Sequence, residues 1–208
     1  MKKFVIVFGA IAVVIVLLVG IVGLGAIGGY NHLVSLSQGT DSSWAQVQND
    51  YQRRADLIPN LVSTVSGAAN FEKSTLEAVT EARASVGRVQ IDAKNAPTDP
   101  QQLAQFQQAQ DQLGSALSRL LVVSENYPQL RATENFRDLQ AQLEGTENRI
   151  AVSRRDFNNA VQAYDTAIKS FPGMFYSKFK EKPYFSAAPG AETVPKVDFG
   201  AGGTGTNK

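Results

Sequence analysis

The chain has 208 residues, with 20 basic and 19 acidic side chains, one histidine and no cysteine. A formal net charge of +1 gives no basic excess that would point to nucleic acid and no acidic surplus that would point to cation buffering. Without cysteine, disulfides, thiolate metal sites, cysteine nucleophiles and a lipid-modified cysteine are all excluded, and the fold must hold by packing alone.

The first stretch, Phe4 to Ile27, contains no charged residue and consists almost wholly of Val, Ile, Leu, Ala and Gly. As a helix it reaches about 36 Å, enough for a ~30 Å hydrocarbon layer with some tilt. A helix satisfies its own backbone groups in lipid, so a transmembrane helix is the physical reading. The competing reading is a cleaved signal peptide, for which Gly23-Leu24-Gly25-Ala26 offers a small-residue site. An apolar core of about 7–15 residues is the norm there, and this one is longer. Lys2 and Lys3 precede the span and the next basic side chain is Arg53. That asymmetry holds the N-terminus in the cytoplasm and sends the remainder across. Gly25 and Gly29 are spaced to let two helices approach closely, although ordinary glycine use in a membrane helix is the preferred explanation. His32 reads as an interfacial side chain rather than a ligand.

From Asp41 the pattern is helical. Trp44, Tyr51, Ile58, Val65, Val79 and Val86 fall on a seven-residue repeat interrupted at Glu72, while Val47, Leu61, Ala68, Ala82 and Val89 fill the partner position, interrupted by Arg54 and Thr75. Such a stripe must bury against other helices. Pro59 predicts a kink, or else a fresh helix capped by Asp56; Gly67 to Asn70 is a second weak point. Residues 41–91 are thus one kinked helix or two. Asn95-Ala96-Pro97-Thr98 is a loop, after which Asp99 caps a helix with Pro100 in its first turn. That helix carries Leu103, Phe106, Leu113, Leu117 and Leu120, with Gln110 in the same stripe. Gln101, Gln102, Gln105, Gln107 and Gln108 read as its solvated face, and Tyr127-Pro128 ends it. The last long helix runs from about Thr133 to Ser170, with Phe136, Leu143, Ile150, Phe157, Tyr164 and Phe171 at every seventh position, before Pro172-Gly173. No strand-like alternation is seen. The expected fold is all-α: one N-terminal transmembrane helix, an antiparallel bundle of three to four long helices and a partly disordered C-terminal tail. The expected divisions are 1–29, 30–172 and 173–208.

In the tail, Phe175, Phe179, Tyr184 and Phe185 are interleaved with Lys178, Lys180 and Lys182. Aromatic rings and lysines suit a lipid headgroup layer. Packing of the rings along the bundle with the lysines in water is the preferred alternative. After Phe199 the residues are too small and polar to order themselves. If four helices alternate in direction, the last returns its end to the bilayer; with three it ends far away.

Two charged clusters interrupt the apolar stripes: Arg53, Arg54 and Asp56 around one, Glu147 and Arg149 around the other. An isolated charge in a core is strongly unfavourable, so an Arg54–Glu147 pair between helices is expected. An acid–base role for Glu147 beside Asp56 would need a pocket and a second positioned carboxylate, and structural pairing is preferred. These stretches carry a resemblance. Tyr30-Asn31-His32-Leu33-Val34, Gln52-Arg53-Arg54-Ala55-Asp56-Leu57-Ile58-Pro59-Asn60-Leu61-Val62, Tyr127-Pro128-Gln129-Leu130, Thr146-Glu147-Asn148-Arg149-Ile150-Ala151, Arg154-Arg155-Asp156-Phe157-Asn158 and Phe171-Pro172 are similar to the LemA family over about residues 4–185. Phe157 stands where that family usually has tyrosine. The resemblance implies a single-pass protein of the bacterial inner membrane with its bundle facing outward, and it supplies no activity, cofactor or catalytic residue.

The expected function is therefore a non-enzymatic membrane-anchored scaffold that binds other envelope proteins or itself, with no cofactor and no nucleic acid. A membrane-shaping or lipid-binding protein acting through bundle and tail is the alternative. The residues singled out for structure or interaction are Arg53, Arg54, Asp56, Pro59, Glu147, Arg149, Phe175, Phe179, Tyr184 and Phe185.

Overall fold

A computed structural model describes residues 2–68, 71–89 and 91–186, the side chains of residues 2–8, 10 and 11 excepted. Helix α1 runs unbroken from Lys2–Ser66, joining the apolar span directly to the first bundle helix. The bundle continues with α2 (Lys73–Arg88), α3 (Pro100–Ser124), the single turn α4 (Pro128–Arg131) and α5 (Glu134–Lys169), followed by a 3₁₀ turn at Gly173–Phe175. The described residues contain no strand. The run after Phe199, expected to be unstructured, lies outside the described residues.

The caps are local chemistry. Asp99 accepts a hydrogen bond from the Gln101 N–H with Pro100 in the first turn of α3, and Thr133 accepts from the Phe136 N–H at the start of α5. The first region is split at Gly67, not at Pro59, and Asp56 lies mid-helix rather than at a cap. Pro59 stays inside α1 for a reason the sequence hides. Its missing N–H leaves the Ala55 carbonyl without its usual partner, and Arg83 of α2 donates Nε–H to that oxygen at 3.2 Å.

Four helices thus alternate in direction, α1 lying along α5 and α2 along α3, and the end of α5 comes back beside the apolar span. Three apolar layers follow one another along α1. Leu33 packs with Tyr164 and Ile168 nearest the span. Trp44, Val47 and Tyr51 then meet Phe106, Ile150, Phe157 and Phe185. Farthest out, Ile58, Leu61 and Val65 meet Val79, Leu113, Leu120, Phe136 and Leu143. All the α5 repeat positions from Phe136 to Tyr164 are buried, but Phe171 is 81% exposed. The repeat outlives the helix: α5 stops at Lys169 with Ser170 as its cap, and the chain turns away before Phe171 can reach the stripe.

Candidate functional site

Two polar layers lie between the three apolar ones, each centred on a buried cation. Arg54 of α1 separates the middle and outer layers. Its guanidinium donates to the Glu147 carboxylate of α5 at 2.9 Å, and to both the side-chain and backbone oxygens of Gln110 on α3 at 2.6 and 3.1 Å. The interruption in the α1 stripe and the polar residue in the α3 stripe therefore face each other. The expected Arg54–Glu147 pair forms, with a difference: Arg54 is 3% exposed and Glu147 60% exposed, so the cation is buried and the anion stands in water at the groove edge. That groove is also lined by Asp111, Gly114, Ser118, Leu143 and Glu144. Asp56 is on the exposed face, accepting from Gln52 at 2.7 Å, and does not join Glu147. Arg53 and Arg149 are exposed; Arg149 borders a shallow groove with Asp50, Asn148 and Asp156.

Tyr51 lies one turn before Arg54, whose guanidinium sits 5.2 Å from the ring centroid. The Tyr51 hydroxyl is buried with no hydrogen-bond partner. Burial pushes its pKa up, opposed by the positive charges of Arg154 and Arg54. Because an unpaired buried hydroxyl is unfavourable by about 1–3 kcal/mol, Tyr51→Phe is expected to leave stability unchanged or raise it by up to about 2 kcal/mol. Urea unfolding followed by circular dichroism checks this, and a clear loss would show that the hydroxyl is bonded.

The second polar layer was not legible in advance. Lys182, expected in water or at lipid, is buried. Its ammonium donates to the Thr40 hydroxyl, to Asp41 at 3.0 Å and to Ser37 at 3.5 Å, and lies 5.1 Å from the Tyr164 ring centroid. The Lys182 N–H donates to Asp165 at 3.2 Å. Asp41 accepts in addition from the Ala96 N–H at 2.9 Å, so one carboxylate ties α1 to both the α2–α3 loop and the C-terminal segment. Burial pushes the pKa of Tyr164 up, reinforced by the Asp165 and Asp41 charges.

Residues 176–186 form a strap along the bundle. Phe185 stacks on Trp44 with centroids 6.1 Å apart and meets Phe157 edge-on at 5.5 Å. The Asn158 amide pairs with the Phe185 backbone at 2.9 and 3.0 Å, and Arg154 covers the ring at 4.8 Å. Gln107, read as part of a solvated face, is buried instead because it accepts from the Ser186 N–H and hydroxyl at 3.3 and 3.1 Å. Phe179 is half-buried beside Tyr30 and Tyr164. Tyr184 and Phe175 are exposed. At the root of the strap, the Tyr176 hydroxyl donates to the Ala26 carbonyl at 2.5 Å. A Cβ on Gly29 would lie 2.6 Å from Cγ of Pro172, so Gly29 admits the chain's own proline.

Among the described residues, no three His, Asp or Glu side chains gather as a metal would need, and each polar layer ties helices together, the Arg54 layer at the wall of an open groove. These features define a helical-bundle protein built outward from one helix long and apolar enough to cross a membrane. The LemA family profile matches residues 43–199, well over half of the sequence, and the chain belongs to that family. It is similar to magnetosome protein MamQ 2 of Paramagnetospirillum magneticum, 26% identical over 186 residues that cover 79% of this chain and 67% of the relative. MamQ of Magnetospirillum gryphiswaldense is 23% identical over the same shares. Protein LemA of Metamycoplasma hominis is 23% identical over 156 residues, covering 75% of this chain and 67% of the relative.

Proposed function

We propose that this LemA-family chain is a non-enzymatic, membrane-anchored scaffold of the bacterial envelope. Its N-terminus lies in the cytoplasm, α1 spans the inner membrane, and the bundle stands outside to bind other envelope proteins or a second copy. The observation that carries this reading is the continuity of α1, which leaves the apolar span and enters the bundle core without a break. From Tyr30 to Ser66 it extends about 55 Å, so the outer layer is held at a set distance from the bilayer. The membrane-shaping alternative has less support, because Lys182 and Phe185 are spent inside the bundle.

Photo-crosslinking residues placed at the exposed Val122 and Val152 in cells are expected to trap envelope proteins or a second copy of the chain. A reporter active only outside the cytoplasm, fused after Lys208, is expected to be active. Absence of crosslinks at both positions would count against the scaffold, and an inactive reporter that is stably produced would reverse the orientation.

A further inference from the structure

The turn that joins α5 to the strap presents three apolar side chains with none of the described residues over them: Phe171, Met174 and Phe175, which are 81%, 63% and 71% exposed. Phe171 and Phe175 meet edge-on at 6.0 Å, so they form one patch. Large apolar groups gathered in this way on a surface mark a contact site. Their height relative to α1 is fixed on either side of the turn. Pro172 is seated against Gly29, and Tyr176 is bonded to the Ala26 carbonyl. Ala26 and Gly29 straddle Ile27, the last residue of the uncharged span. The first residue of α1 buried by the bundle, Leu33, comes only one turn farther out. The patch is thus level with the end of the span, above the exposed Val22, which shares the helix face of Ala26 and Gly29, and the exposed Lys178 and Lys180 follow it.

We propose that Phe171, Met174 and Phe175 are a second membrane contact, a wedge seated at the headgroup–acyl boundary of the bilayer that α1 spans. The proposal rests on the reading of α1 as an anchor. Lipid is the occupant because the patch continues the apolar surface of the span at the same level, where aromatic side chains with neighbouring lysines are at home. The turn then acts as an outrigger, giving the bundle a second foot on the membrane.

The chain has no cysteine, so the full-length protein accepts single nitroxide labels cleanly. Val19→Cys, Val122→Cys and Met174→Cys proteins, reconstituted into phosphatidylglycerol–phosphatidylethanolamine vesicles, report depth through power saturation by oxygen and by a water-soluble nickel chelate. A label at 174 is expected to favour oxygen over nickel several-fold more than one at 122, and less than the label at 19. Adding Phe175→Ser should shift the 174 label towards nickel. If 174 matches 122 while 19 is in lipid, the wedge is wrong and the anchor stands. If 19 itself meets nickel freely, both fall. Broadening at 174 that vanishes on dilution with unlabelled protein would assign the patch to a second copy and overturn the lipid contact.

Discussion

Replacing Phe185 by alanine is expected to peel the strap from the bundle and expose Trp44, the sole tryptophan, to water. Phe185 is buried between the fully buried Trp44 and Phe157, and truncating such a ring is unfavourable by about 3–5 kcal/mol. Because the strap is an irregular segment at the bundle edge, much of this loss should appear as local opening before global unfolding. The measurement is tryptophan emission, which should move to longer wavelength and become more accessible to acrylamide, together with a lower unfolding midpoint. Lys178→Ala, at an exposed position of the same strap, should change stability by no more than about 0.5 kcal/mol. An unaltered emission spectrum in the Phe185 variant would mean that the strap does not cover Trp44 in solution.

The second large effect is at Arg54, and it should be unequal between the partners. Arg54→Ala removes a buried side chain whose guanidinium lies over Tyr51 and leaves the buried Gln110 oxygen without its donor, which together amount to about 3–5 kcal/mol. Glu147→Ala should lose somewhat less, about 1–3 kcal/mol, since the buried guanidinium keeps its charge and its Gln110 contacts but loses its carboxylate. Chemical denaturation of the two single variants tests the asymmetry. Arg54→Met combined with Gln110→Leu should recover at least half of the Arg54→Ala loss, because both polar partners are then replaced by apolar groups of similar shape. Equal losses from the two single changes would show that the unpaired buried guanidinium, rather than lost packing and the Gln110 contact, sets the cost.

The fold was legible wherever the information is local. Heptad spacing identified the buried faces of α1, α3 and α5, and Asp99, Pro100 and Thr133 marked helix starts by chemistry confined to a few residues. The Arg54–Gln110–Glu147 knot was half legible, because a charge in an apolar stripe demands a partner on another helix, although nothing in the pattern states how much water reaches it. What stayed hidden depends on contacts across the chain. Lys182 meets Thr40 and Asp41 from more than a hundred residues away, and the strap that carries it has no period to read. Gln107 looked solvated for the same reason, its partner being Ser186. Phe171 failed in the opposite sense: the repeat continues in sequence after the helix has stopped.

The unbroken passage of α1 from span to bundle also couples rotation on the two sides of the boundary. In an α-helix each residue turns the chain by about 100°, so the face that α1 shows to lipid sets the compass bearing of the bundle. One residue added between Ile27 and Leu33 would swing the whole outer body by that angle about the helix axis. Pro172 would then face a side chain other than Gly29. In this chain the bundle's azimuth about the apolar span is therefore fixed by the phase of a single helix.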